Sequence, residues 1–330
     1  MLPNWIIAGA PKTATSSLFR WLVDHPEAAG SADKETYYFV DPGTHMFQDH
    51  SNFAQHGLAG YEKLFEDCPA AAKVVVESTP GYMYSKTALR ELPRLPTQPK
   101  FIFVLREPVA QLQSLFVYFQ QNWNWIDRDL SFADFIAAVE DGTSDFKGNE
   151  LAVDALRNAW YSDHLRRWQA AVGAERMHVL LFEDLVSDNR GSMQGVARHL
   201  GIDPSFYDDY EFAAENVTYE ARFGALQDVN IWIRSRLPKG RIYEALRRLY
   251  RAANTRPAKR QSPDVDVVRK LTERFAPMLD ELEQEFDIDV TSWRTAAQRR
   301  AFGFAAASGA ADQRLSSAQP DGRIASSSGV

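Results

Sequence analysis

A single cysteine, Cys68, stands among 330 residues, so an intramolecular disulfide framework is excluded and a cysteine-built metal cluster has too few ligands. Long apolar runs are also missing. The first run, Trp5–Ala8, falls far short of the roughly 20 residues a membrane-spanning helix needs, and no basic leader precedes it. Positive charge is scarce: 37 Lys and Arg against 44 Asp and Glu leave a formal net charge of −7. The chain therefore has no broad basic field to gather nucleic acid without sequence preference, and any anion site must be local. The expectation is a cytoplasmic protein with no stable membrane insertion and no nucleic-acid partner; oligomeric state is not legible.

What the chain does have is apolar material, 45% of it, enough for one large core. Trp5–Ala8, Val74–Val76, Phe101–Leu105 and His178–Phe182 read as strands buried on both faces. Between them, helical spacing recurs at Leu18, Trp21 and Leu22, at Leu112, Leu115 and Phe119, and at Leu156, Trp160, Leu165 and Trp168. Strands alternating with helices predict an α/β fold, a central parallel sheet flanked by helices. Beyond Asn216 the strand signal fades, and helical patterns over Arg241–Ala253 and Val265–Phe286, separated by a loop at 254–263, predict a helical C-terminal cap. The final stretch turns to Ala, Ser and Gly without periodicity, which cannot bury enough surface to offset ordering entropy. One domain over 1–295 and a disordered tail over 296–330 are expected.

The strongest chemical signal is Ile6-Ile-Ala-Gly-Ala-Pro-Lys-Thr-Ala-Thr-Ser-Ser-Leu18: a buried strand, a Gly/Pro turn, then hydroxyl residues opening an amphipathic helix. Unpaired N–H groups of a first helical turn and the helix dipole favour an anion there. Thr13, Thr15, Ser16 and Ser17 can donate further bonds, and Lys12 supplies a full charge. The plain alternative is a capping threonine beside a solvated lysine; position at the end of a first strand, where ligands of open α/β sheets bind, favours the anion. A nucleoside-triphosphate P-loop needs a glycine directly before its lysine. Here Pro11 holds that place, so the site is P-loop-like without being a Walker loop.

The segment Pro11–Leu18 resembles the 5′-phosphosulfate loop of the sulfotransferases that use 3′-phosphoadenosine-5′-phosphosulfate (PAPS), above all the bacterial and heparan sulfate-type enzymes; Ala14 stands where glycine is usual, which suggests a turn with negative φ. A second segment fits the same family. Arg106-Glu-Pro108, ending a strand, and Ser114 eight residues on resemble its 3′-phosphate motif, with Gln111 where many relatives carry a second arginine. A strand-end guanidinium can take a phosphate bidentately; the bland alternative is a salt bridge at Arg106 and a packing serine. The resemblance covers residues 4–294. It implies PAPS as co-substrate, 3′-phosphoadenosine-5′-phosphate (PAP) as product, and no metal.

The family also implies a base. Asp33-Lys-Glu-Thr-Tyr-Tyr-Phe39 resembles the Glu-x-x-Phe-Phe stretch of heparan sulfate sulfotransferases, which makes Glu35 the base, its pKa expected to be raised in a partly dry pocket, and Lys12 the stabiliser of the leaving phosphate. Without the family, Glu35 reads as a surface carboxylate. Lys34 and Tyr37 are possible helpers. Glu77, in Val74-Val-Val-Glu-Ser-Thr-Pro80, is a second acidic candidate that could orient Lys12 or the loop; Ser78 replaces a lysine that binds anionic substrate in heparan-modifying relatives. Tyr118, Trp123 and Trp125 offer a flat surface for a sugar or aglycone, or ordinary packing. Ahead of Pro263-Asp-Val-Asp266, Lys259 and Arg260 take the place of the family's donor-closing basic loop; Lys239-Gly-Arg241 is the competing match. Sulfation of a hydroxyl, less readily an amine, on a glycan or small molecule is expected. A nucleotide kinase and a non-catalytic PAPS-binding scaffold are the rival readings.

Overall fold

The computed structural model describes residues 1–213, 219–221, 255–257 and 264–301. Strands β1 (Trp5–Gly9), β2 (Ala28–Gly30), β3 (Val74–Ser78), β4 (Lys100–Leu105) and β5 (Met177–Leu181) form one sheet in the order β2-β3-β1-β4-β5. Every neighbouring pair is parallel, with Ile6 opposite both Glu77 and Phe101. Alternate side chains of a strand point to opposite faces. Accordingly Ile6, Ala8, Val75, Phe101, Phe103 and Leu105 enter one core, while Trp5, Ile7, Val74, Val76, Ile102 and Val104 enter the other. Burying each Val, Ile, Leu or Phe among them contributes about 1.5–3 kcal/mol.

Six helices matter for the site: α1 (Thr15–Val23), α2 (Pro108–Tyr118), α3 (Tyr161–Val172), α4 (Asn189–Leu200), α5 (Val265–Phe286) and α6 (Thr291–Ala301). Leu18 and Leu22 of α1 pack with Met193 and Val196 of α4 on the second face. Leu112 and Leu115 of α2 join Leu165 and Trp168 of α3, Leu271 of α5 and Trp293 of α6 on the first. The helices leaving β1 and β4 thus depart to opposite sides of the sheet. The crevice at the C-terminal ends of those neighbouring strands is a topological switch point, where open α/β sheets bind ligands.

The α/β architecture and the helix Val265–Phe286 match the sequence reading, and several details differ. Residues of β5 are mostly half-buried because it is an edge strand, paired only with β4 among the described residues. Strand β2 was not expected: three small residues, Ala-Ala-Gly, carry no β-branched signal. The pattern from Leu156 to Trp168 is not one helix, since Trp160 lies between Ala155–Asn158 and α3. Phe119 opens a wider π-helical turn, Phe119–Trp123. Within the stretch read as a loop, Thr255–Pro257 pairs antiparallel with Tyr219–Ala221. Helix α6 runs on to Ala301, past the boundary expected at residue 295, because fully buried Trp293 and buried Ala297 anchor it. Lys259, Arg260, Lys239, Arg241, the pattern 241–253 and the tail from 302 lie outside the described residues. No helix among the described residues is long and apolar enough to cross a membrane.

Candidate active site

Strand β1 ends at Gly9, where a Cβ would lie 2.7 Å from that of Met83, so only glycine fits the chain against the turn Pro80–Met83. Beyond it, Lys12 (φ 70°) and Ala14 (φ 62°) are left-handed on either side of Thr13. This alternation turns successive N–H groups toward one side, a concave anion nest, and the nest runs straight into the N-terminus of α1. The expected negative φ at Ala14 is therefore incorrect: the cradle needs the left-handed turn. An alanine there costs about 1–2 kcal/mol, partly offset by its smaller unfolded-state entropy. Ala14→Gly is expected to stabilise the protein by about 0.5–1 kcal/mol, measured as a raised urea midpoint with unchanged slope.

The hydroxyls do not all face a ligand. Fully buried Thr13 donates from Oγ1 to the Ala10 carbonyl at 2.7 Å, bracing the loop from within. Thr15 and Ser17 are buried in the first turn of α1 and Ser16 is half-buried. Lys34 Nζ donates to Thr15 Oγ1 at 3.4 Å, so a second ammonium group stands at the cradle.

Arg106 follows β4, and its Nη1 donates to the Lys12 carbonyl at 3.2 Å. Gln111, on the first turn of α2, donates from Nε2 to the Pro11 carbonyl at 3.1 Å. Two segments about a hundred residues apart are thereby tied into one surface. The Arg106 guanidinium stacks over Phe182, 4.3 Å from the ring centre, and its Nε is buried without a hydrogen-bond partner among the described residues. Burial lowers its pKa, opposed by the carboxylates of Glu183 and Glu107. Ser114 is half-buried about two turns along α2.

Glu35 projects from a loop pinned by a buried polar network. Thr36 donates to Glu77 Oε1 at 2.6 Å and lies 3.0 Å from the Tyr82 hydroxyl, and the Thr36 amide donates to Thr79 Oγ1 at 3.1 Å. Glu77 is fully buried and also accepts from Thr79 Oγ1 at 2.8 Å and from the Tyr61 hydroxyl. Burial raises its pKa against those hydroxyl donors. Through Thr36 and Thr79, Glu77 holds the loop that carries Glu35. Neighbouring Ser78 is likewise fully buried, its Oγ without a partner among the described residues.

Glu35 keeps 31% of its side chain exposed and accepts from Lys34 Nζ at 2.8 Å and from the Tyr37 hydroxyl. Burial pushes its pKa up, but Lys34, Tyr37 and Lys12 outweigh that and hold it below the ordinary value. The expected upward shift is thus reversed, because two ammonium groups flank the carboxylate. Lys12 lies over the Tyr118 ring, 3.8 Å from its centre. Burial, then the Arg106 charge, lower its pKa to about 8, with Glu35 pulling the other way. The aromatic surface continues outward: Trp123 Nε1 donates to the Tyr118 hydroxyl at 2.9 Å, Trp123 stacks on Trp125 at 5.2 Å, and His45 packs edge-on against Trp125 at 4.5 Å.

Sequence reasoning missed the bonding roles of Gln111, Thr13 and Thr36. Their types carry no signal of their own; only the pairing of β1 with β4 and of the Glu35 loop with β3 brings them into range.

A family model described as the Sulfotransferase family matches residues 45–208, which includes Arg106 and Ser114 and leaves Lys12 and Glu35 outside the matched segment. The human bifunctional heparan sulfate N-deacetylase/N-sulfotransferase 3 is 24% identical over 210 residues, 62% of this chain and 23% of that protein. The membrane-associated sulfotransferase kil1 of Dictyostelium discoideum is 29% identical over 132 residues, 39% of this chain and 25% of that protein. The chain thus spans about a quarter of the length of these curated relatives. A sulfotransferase from Alicyclobacillus acidocaldarius has the same fold, with a TM-score of 0.63 at 20% identity, covering 89% of this chain and 99% of that one. Taken with the paired anion loops at the switch point, these likenesses make the chain similar to the sulfotransferases in sequence and fold.

Proposed function

We propose that this protein transfers the sulfuryl group of PAPS to an acceptor hydroxyl, with Lys12 and Glu35 on opposite sides of the reacting sulfur. The observation that carries the reading is the linked pair of anion loops with Glu35 beside them, near enough to Lys12 that each shifts the other's protonation. The α1 nest with Thr15, Ser16 and Ser17 suits the 5′-phosphosulfate, and Arg106, whose buried Nε has no partner among the described residues, suits the 3′-phosphate together with Ser114. Lys259 and Arg260 are proposed to close this site.

In such a reaction the acceptor oxygen forms a bond to sulfur while the bond from sulfur to the 5′-phosphate oxygen breaks. Lys12 neutralises the charge gathering on that leaving oxygen, and Glu35 takes the acceptor proton; the products are a sulfate ester and PAP. A carboxylate of depressed pKa is a weak base, yet an attacking hydroxyl becomes strongly acidic as its oxygen gives up electrons, so a weak and always ionised base suffices. Tyr118 and Trp123 would offer a flat face to the acceptor. Ser78, buried where relatives carry a lysine, adds no cation, which favours a glycan or small molecule without dense negative charge. The lone Cys68, free and half-buried, fits a reducing cytoplasmic setting.

The test is a transfer assay with labelled PAPS and a panel of hydroxyl and amine acceptors, reading PAP release and labelled product together. Acceptor-dependent formation of both supports the reading. PAP binding without turnover on any acceptor favours the non-catalytic scaffold.

A further inference from the structure

Two features at the end of β4 are not accounted for by the motifs. Gln111 offers its amide to the Pro11 carbonyl, so α2 carries no second cation at that position, and Arg106 stands alone among its neighbours on that loop. A second guanidinium nevertheless reaches the same place from the far end of the chain. Arg300, in the last turn of α6, has its Nη2 2.7 Å from Glu107 Oε2, and Glu107 is the residue next to Arg106. Helix α6 is fixed there by a second anchor: Trp293 Nε1 donates to Glu183 Oε2 at 2.6 Å, and the other Glu183 oxygen accepts the Glu107 amide at 3.1 Å.

We infer that Arg300, carried on α6, is a ligand for the 3′-phosphate of the donor, supplying the second cation that Gln111 does not. The inference rests on the PAPS reading above.

Glu107 does not need Arg300 for its own stability. Its two oxygens already accept from the Val109 and Ala110 amides at 3.2 and 2.8 Å, capping α2, and the helix dipole favours a carboxylate at that end. The exposures differ in the direction the inference requires: the Glu107 side chain is 4% exposed and that of Arg300 is 32%. Arg300 therefore keeps a solvent-facing side with which a guanidinium fork can meet a phosphate while still touching Glu107. Arg300 is also near enough to Arg106 to lower its pKa. The carboxylates of Glu107 and Glu183 offset part of that mutual repulsion, and a phosphate dianion meeting both guanidinium groups would offset more of it.

The test compares two ligands that differ only in the 3′-phosphate, PAP and adenosine 5′-monophosphate (AMP), by calorimetric titration of the wild type, Arg300→Gln and Arg300→Lys. A lost charged hydrogen bond should weaken PAP binding of Arg300→Gln roughly tenfold or more and leave AMP binding unchanged. Arg300→Lys should fall between the two, since an ammonium keeps the charge and loses the fork. Equal losses for PAP and AMP, or no loss for either, would overturn the inference and leave Arg300 as a helix anchor. If Arg300→Gln does not fold, the PAP-to-AMP affinity ratio of Arg300→Lys decides alone. A wild type that binds PAP no better than AMP would defeat the 3′-phosphate site itself, and with it the PAPS reading, a result distinct from any change confined to the variants.

Discussion

Glu35→Gln is expected to lower the turnover number for sulfuryl transfer by about 10²–10⁴-fold, the usual worth of a positioned acid or base, while PAP affinity changes little. The substitution keeps the shape of the side chain; the new carbonyl can still accept from Lys34, and the amide nitrogen can donate to the Tyr37 hydroxyl. Removing the negative charge also takes away the one group that raises the Lys12 pKa, so Lys12 should titrate lower in this variant. In the wild type, Glu35 is held below its ordinary pKa. Activity governed by it should therefore be fully present at neutral pH and disappear only as the pH falls through and below the normal carboxylate range. A steady-state pH profile checks this. Retention of near-normal turnover in Glu35→Gln, with intact PAP binding, would remove Glu35 from the chemistry.

Lys12→Met should cost about 10²–10³ in turnover, as loss of one preorganised donor to developing charge does, without unfolding the protein. Burial is the main reason the Lys12 pKa lies near 8, so the folded state disfavours its charge. The folded pKa is below the unfolded one; that burden is fully present below about pH 8 and is relieved as the pH rises toward the unfolded value. Replacing the ammonium with a methionine of similar length should therefore leave thermal stability at pH 7 unchanged or raise it. The catalytic consequence runs the other way. In the free enzyme, kcat/KM for the donor should show an alkaline limb near pH 8, because an uncharged Lys12 neither attracts an anionic donor nor neutralises the leaving oxygen. Loss of that limb in Lys12→Met, together with a preserved fold, separates an electrostatic role from a structural one. A sharply lowered melting temperature would contradict it.

The sheet was legible because Trp5–Ala8, Val74–Val76 and Phe101–Leu105 are short, continuous and apolar, as strands covered on both faces must be. The candidate site was legible for a related reason: Lys12 and Arg106 each come just after such a strand, and adjacent parallel strands bring the loops at their C-terminal ends to one edge of the sheet. The features that escaped depend on through-space pairing or on backbone state. Whether Ala14 is left-handed is decided by the direction its amide must face, since alanine itself gives no sign of it. Glu77, with three hydroxyl donors around it, looks in sequence like any strand-end carboxylate. Arg300 lay in a stretch read as tail, because a helix whose buried contacts come mainly from Trp293 and Ala297 shows almost no apolar period. Strand β2 is invisible for a similar reason, being three small residues that pair only because β3 lies alongside.

The most direct measurement is thermal unfolding with PAP and, separately, with ATP plus Mg²⁺ at equal concentration. PAP alone is expected to stabilise the protein, by about 2.7 kcal/mol at roughly a hundred times its dissociation constant, and ATP–Mg²⁺ to have little effect. Stabilisation by ATP–Mg²⁺ with none by PAP would contradict the PAPS donor site and point to a phosphotransferase instead.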